Sequence, residues 1–282
     1  MLSDISGVTG QAIITAILAG ERNPHKLAEF RDPRVKASEE QIARSLEGNW
    51  QPDLLFVLQQ EQDGYKFGQK QIAECDRQLE KYLLQREDRS HGAPLPEEKR
   101  KGRLKKKRAN KPQFDLREGL FRMTGTDLTR IDGIDVMTAM TIISEAGWDM
   151  SKWPDEDHFV SWLRLCPDNR ISGNKVIGKG RLPTNNPISI ALKMAASTLR
   201  QSKTYLGAQF RRFRTRLGAP IAIKAMAAKL ARLVYRMLRY GMKYVDQGAA
   251  FYELRHRELQ IKRLKAKAEK LGYRVTPIPA AA

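Results

Sequence analysis

The 282-residue chain carries 51 Lys and Arg against 32 Asp and Glu, a formal net charge of +19. A positive field of that size attracts polyanions and hastens encounter with them. Nucleic acid is favoured over a merely solvated basic surface, such as a ribosome-associated protein has, and over a membrane surface. The reason is that the charge is spread over several segments rather than held in one anchor. Two cysteines, Cys75 and Cys166, exclude a disulfide scaffold and fit a reducing cytosol. No basic n-region follows Met1 and the apolar run Ala12–Ala19 is too short to span a bilayer, so a soluble, cytoplasmic protein is expected.

Residues 1–60 read as short helices. Gly10–Ala19 is an apolar helix closed by Gly20, and Asn23-Pro24 and Asp32-Pro33 are turns. Ser38 followed by Glu40 and Gln41 makes a capping box for a helix reaching about Leu46. Residues 52–88 form one long helical pattern, weakened early by Gly64 and Gly68. Ile72, Cys75, Leu79 and Tyr82 recur at spacings of three and four, as in a short coiled-coil seam or a plain amphipathic helix. Residues 89–113 read as a disordered linker. Pro94, Pro96 and Pro112 punctuate it, and nine basic residues crowd Lys99–Lys111 with almost nothing apolar to bury. It serves as a charged spacer and can order on a phosphate backbone.

Leu128–Gly147 reads helix, turn, helix, with Gly133 in the turn and Asp135 as N-cap of Val136–Glu145. This resembles a helix-hairpin-helix element, whose turn amides hold a phosphate. The usual second glycine is here Asp135, whose carboxylate would repel a phosphate, so phosphate binding and a plain structural hairpin both stay open. A helix is expected around Asp157–Leu165, then a loop over Cys166–Pro187, rich in Gly, Pro, Asn and cations. Two strong helices follow: Ile188–Gly207, carrying Lys193, and Pro220–Tyr244, with cations including Arg232 and Arg236 off its apolar face. Between them Phe210–Gly218 interleaves arginines, Arg211, Arg212 and Arg214 among them, with aromatics. That mixture suits phosphate contact with base stacking, or ordinary packing beneath a solvated arginine face. Phe251–Lys270 is a charged, exposed helix. The fold expected is mainly α: a helical and coiled-coil region (1–88), the basic linker (89–113), a compact helical domain (114–246) and a charged helical tail (247–282).

Several chemistries fail on spacing. Gly173–Lys179 has P-loop spacing but Gly180 stands where Ser or Thr is needed, and no apolar strand precedes it. The four histidines are scattered and neither cysteine sits in a ligand-spaced pair, so no zinc site is expected. Asp4, Asp32 and Asp53 lie in helical or turn contexts and do not form a carboxylate cluster for metal ions.

Three segments carry a sharper signal: LSDISGVTGQAIITAILAGERNP (Leu2–Pro24), LRLCPDNRISGNK (Leu163–Lys175) with the basic Gly-containing stretch and the helix ISIALKMAASTLR that follow it, and LGAPIAIKAMAAKLARLVYRMLRYGMKYVD (Leu217–Asp246). In this order they resemble transposases of insertion-sequence family one hundred ten, over nearly the whole chain. The resemblance implies a DNA recombinase that joins a RuvC-like domain, bearing an acidic DEDD tetrad, to a C-terminal domain with an essential serine. It implies DNA as partner, an element-encoded guide RNA, and a homo-oligomer, dimer or tetramer. The family's serine falls on Ser172, which would attack a DNA phosphodiester and hold a transient 5′-phosphoserine. Arg170, Lys175, Lys179 and Arg181 supply positive charge for phosphoryl transfer, and Gly173 leaves room for the backbone to approach a phosphate. Lys193, Arg211, Arg212 and Arg214 are further candidates for nucleic-acid contact. In the family the opening segment follows the acidic domain. This chain is therefore expected to lack that half, to bind no cofactor itself (Mg²⁺ being implied for the missing domain), and to recombine DNA poorly alone. The alternative is a non-catalytic nucleic-acid-binding remnant.

Overall fold

The structure, a computed structural model, describes residues 5–33, 35–97, 112–173, 175–180, 185–241, 243 and 247–276, with backbone alone at 168–171, 176, 179 and 180. It is mainly α, as the sequence implies, and divides into two units, Met1–Arg77 and Gln78–Ala282.

The first unit contains α1 (Val8–Leu18), α2 (Pro24–Ala28), α3 (Glu39–Ser45) and most of α4 (Pro52–Leu84). Its small core is Ile13, Ile17, Leu27, Ala28, Ile42 and Ala43, with Leu55 and Leu58 of α4 packed against it. The ends of these helices follow their local sequence. Asn23 accepts from the His25 amide ahead of α2, and the Ser38–Gln41 capping box is formed in both directions. The helix α4 runs unbroken through Gly64 and Gly68. Its outer face leaves Phe56, Phe67 and Ile72 exposed. From Gln78 onward it belongs to the second unit, whose core takes in Leu79 and Leu83. The seam read from Ile72 to Tyr82 is thus split between an exposed stretch and a packed one.

In the second unit α10 (Ala219–Tyr240) is the central helix, packed against α7 (Glu156–Trp162), α8 (Pro187–Thr198) and α9 (Tyr205–Leu217). Its inward stripe alternates small and large: Ala222, Met226, Ala227, Leu230, Ala231, Val234 and Tyr235 are all buried. The alanines let neighbouring backbones approach while the larger side chains interdigitate. The one polar atom carried in by Tyr235 is satisfied, its hydroxyl donating to the Trp153 carbonyl at 2.9 Å. Around this centre lie α5 (Leu116–Thr124), α6 (Val136–Ala146) and α11 (Gly248–Lys270). The helix α6 packs on α5 and α8, and α11 on α9.

In the stretch from Ile188 to Tyr244 the structure corrects the sequence reading at three places. The expected helix Ile188–Gly207 is two helices. It breaks after a short 3-10 turn at Leu199–Gln201, where Thr204 accepts from the Gly207 amide and starts α9. A Cβ at Gly207 would lie 2.2 Å from the Ser202 carbonyl oxygen, so the turn requires glycine there. The Arg-aromatic string Phe210–Leu217 is consequently helix, the second half of α9, and not a connection. Apolar residues continue at helical spacing across the break, which hid it. The last helix of the pair ends at Tyr240 on a left-handed Gly241 (φ +62°), short of Tyr244.

Residues 88–97, largely assigned to the linker by sequence, are fastened to the second unit. The Arg89 amide donates to the Arg122 carbonyl at 2.7 Å, and its guanidinium lies 3.3 Å from the Trp148 ring centroid. Arg117 donates to the Pro96 carbonyl at 2.6 Å, and Arg130 to that of Glu97 at 2.9 Å. The basic run Lys99–Lys111 lies outside the described residues.

Candidate nucleic-acid interface

The segment read as a loop is a β-hairpin. Strands β1 (Asp168–Ser172) and β2 (Lys175–Gly180) pair antiparallel, with Ser172 opposite Lys175 and Arg170 opposite Gly178. That register makes a tight reversal that includes Gly173. Gly173 has φ +53°, the left-handed conformation that the favoured short hairpin turns need. A register shift between Arg170 and Ile171 leaves β2 with an extra residue, the bulge geometry that re-aims a strand. The Gly-Asn dipeptide was the available signal for a hairpin. Poor strand formers on either side (Asp168, Asn169, Gly178, Gly180) masked it.

Both ends of this excursion are clamped. On the entering side the Leu165 amide donates back to the Val160 carbonyl at 3.1 Å, and Arg164 sits at a positive φ of 53°. Leaving it, Asn186 accepts from the amides of Ile188 and Ser189 and starts α8. The fully buried Ser189 hydroxyl donates to the Leu163 carbonyl at 2.5 Å, joining the two stems directly. Leu163, Leu165 and Ile188 are all core residues. The hairpin therefore projects from a fixed base. Sequence reasoning passed over Ser189 because nothing local distinguishes it from any helical serine.

Ser172 and Lys175 are both exposed at the tip. Among the described residues no side chain hydrogen-bonds the Ser172 hydroxyl. Of the other candidates, the side chains of Arg170 and Lys179 and the whole of Arg181 lie outside the described residues. Lys193 is half-buried on α8. Arg211 is exposed on α9 and donates to the Ser202 carbonyl at 2.6 Å. Arg212 donates to Glu253 at 2.5 Å and lies 3.4 Å from His256 Nε2, so its charge is already met by α11. Arg214 is exposed in the last turn of α9. By register the hairpin brings Ser172 together with Gly173 and Lys175.

The basic face of α10 is partly spent inside the fold. Arg236 makes a two-pronged pair with Glu156, one arm at 2.6 Å, and Arg232 donates twice to Asp157 Oδ1, at 3.0 and 2.8 Å. The Glu156 hydrogen bond holds the Arg236 guanidinium above its usual pKa, while burial first, and Arg236 second, pull the Lys229 ammonium down.

The helical turn at Gly133 is built for packing. A Cβ there would lie 2.8 Å from the Ala195 carbonyl oxygen of α8 and 3.3 Å from Leu199. Asp135 caps α6 by accepting from the Thr138 amide at 2.9 Å, filling the helix N-terminus with the chain's own carboxylate. Among the described residues no three His, Cys, Asp or Glu side chains converge as metal ligands, and no helix is long and apolar enough to cross a membrane.

Residues 125–211 match the Transposase IS116/IS110/IS902 family. The span runs from the αL residue that ends α5, through α6, α7, the hairpin and α8, to the middle of α9. Over that span the chain is similar to insertion-sequence transposases of that family. No curated protein matches the chain.

Proposed function

We propose that this protein is the serine-bearing part of a DNA recombinase, and that Ser172 is its nucleophile. The Ser172 oxygen attacks a backbone phosphorus. The new Oγ–P bond forms as the P–O3′ bond breaks, the hydroxyl proton leaves to solvent, and the departing 3′ oxygen takes one up. The 5′-phosphoserine keeps the energy of the diester, so a second 3′-hydroxyl can reverse the step on another strand and rejoin it. The observation that carries this is the position of Ser172, exposed at a hairpin tip opposite Lys175 and inside the span similar to transposases. Lys175 stands where an ammonium would meet the non-bridging oxygens.

A Mg²⁺ ion held by an acidic tetrad would further stabilise the developing charge in the family's reaction. The described residues offer no donor set that fits such an ion, and no step here is routed through one. Guidance by an RNA and assembly into a dimer or tetramer, as the resemblance implies, belong to the same proposal. The exposed Ile72 and Cys75 of α4 suit a helix that meets another copy.

The test is a nicked DNA duplex of the element's end, on which a cleaved strand cannot be resealed. The wild-type chain, supplied with the acidic domain in trans, is expected to give a DNA adduct that survives denaturation. Ser172→Ala should give none while binding DNA as before. An adduct that persists in Ser172→Ala sinks the assignment. A second reading, the non-catalytic binding remnant, draws on the absence of any described side chain hydrogen-bonded to Ser172 as a base. It expects no adduct from either chain.

A further inference from the structure

The basic helices of this protein differ in what their cations touch. On α10 the arginines face Glu156 and Asp157, and on α9 Arg212 faces Glu253. On α11 the pattern changes along its length. Its first turns are anchored: Tyr252 is buried edge-on against Tyr205, with ring centroids 4.9 Å apart, and Glu253 and His256 meet Arg212. From Arg257 to Lys270 no residue is buried. The helix continues as an arm of about 20 Å, at 1.5 Å per residue.

Four of the seven cations on α11 are grouped, bordered by Glu258 and Glu269, while Arg257, Lys265 and Lys267 lie elsewhere around the helix. At 3.6 residues per turn, Arg255, Lys262, Arg263 and Lys270 fall on one side of α11. The exposed Leu254, Ile261, Leu264 and Leu271 fall on the other. Among the described residues none of these four cations is in an ion pair. Two like charges one turn apart repel, and an exposed arm of this length gains little from helix propensity alone. A linear polyanion relieves both costs, because each phosphate it brings neutralises a cation and releases a condensed counterion.

We infer that the cationic side of α11 is a contact for the phosphate backbone of a nucleic-acid duplex, separate from the Ser172 hairpin. Of the surfaces that take a basic amphipathic helix, a duplex is favoured over a lipid bilayer. Residues 125–211 match a transposase family. Contacts of this kind set affinity and register and carry no base specificity.

The experiment measures binding of the full chain to a mixed-sequence DNA duplex of roughly 20 bp across a salt series. The fourfold variant Arg255→Gln, Lys262→Gln, Arg263→Gln, Lys270→Gln is expected to lower the log–log salt slope by about 3 to 4, at about 0.9 per phosphate released. Affinity near 0.1 M salt should fall about tenfold or more. The substituted positions are exposed, so circular dichroism should report the same folded platform. The variant Leu254→Gln, Ile261→Gln, Leu264→Gln should keep the wild-type slope. An unchanged slope in the fourfold variant overturns the inference. So does tighter binding of the wild-type chain to phosphatidylserine vesicles than to the duplex, lost in the fourfold variant. Adduct formation through Ser172 is read separately: its failure with a reduced slope in the fourfold variant would leave this contact standing and remove only the nucleophile.

Discussion

The helical platform around α10 and the hairpin that carries Ser172 use polar residues in opposite ways. In the platform nearly every polar group that enters is answered. Tyr235 reaches the Trp153 carbonyl, Ser189 that of Leu163, and Arg232 and Arg236 pair with carboxylates of α7. In the hairpin Ser172 and Lys175 end exposed at the tip. Groups turned inward are fixed by their partners, and groups turned outward remain available to something else. Charge counted along the sequence does not separate the two. Arg236 and Lys175 are equivalent in composition, yet only one is already neutralised.

If the platform is the cooperative unit, truncation inside it should cost most. Phe159 is fully buried against Trp153 (4.8 Å between ring centroids) and Tyr235 (6.1 Å). Phe159→Ala should lower unfolding stability by about 3–5 kcal/mol in urea denaturation. Ile177→Ala, at an exposed hairpin position, should stay within about 0.5 kcal/mol. Comparable losses at both positions would merge the two regions. Gly133→Ala comes next. It adds left-handed strain (φ +91°) to a clash with the α8 backbone, and about 3 kcal/mol is expected.

Glu156→Gln sharpens the comparison from the charge side. It removes the carboxylate shared by Arg232 and Arg236, and about 1 kcal/mol should be lost, since the pair is only half-buried. Arg232 keeps Asp157, while the freed Arg236 guanidinium should then behave like an outward cation and steepen the salt dependence of DNA binding by up to about 1. An unchanged slope would mean that the α10 face is closed to DNA whatever its charge state.

How far the sequence discloses this arrangement depends on the range of the interaction. Caps are short-range and legible: Ser38 with Gln41, and Asp135 at α6, stand where their residue types require. The turn at Gly173 is equally short, but strand pairing rests on partners, and Asp168 or Gly180 has no strand preference of its own. The α7–α10 ion pairs join positions 75 to 80 residues apart, and no local pattern announces them. Ser172 as a candidate came from the resemblance of its loop to a family. Its exposure at a hairpin tip comes from the fold.

The smallest expected effect concerns Gly173. Its φ of +53° is unfavourable for a residue with a Cβ, yet a Cβ there would meet nothing within 4 Å. Gly173→Ala therefore adds strain without a clash, about 1 kcal/mol. Where that energy is felt distinguishes the two regions. If the hairpin opens independently of the core, the strain should speed amide hydrogen exchange in residues 168–180 about fivefold and leave the slowest amides of α10 unchanged. The melting temperature would then hardly move, while adduct formation by Ser172 would fall with the hairpin's occupancy. Exchange in α10 rising by the same factor would instead place the hairpin inside the platform's cooperative unit.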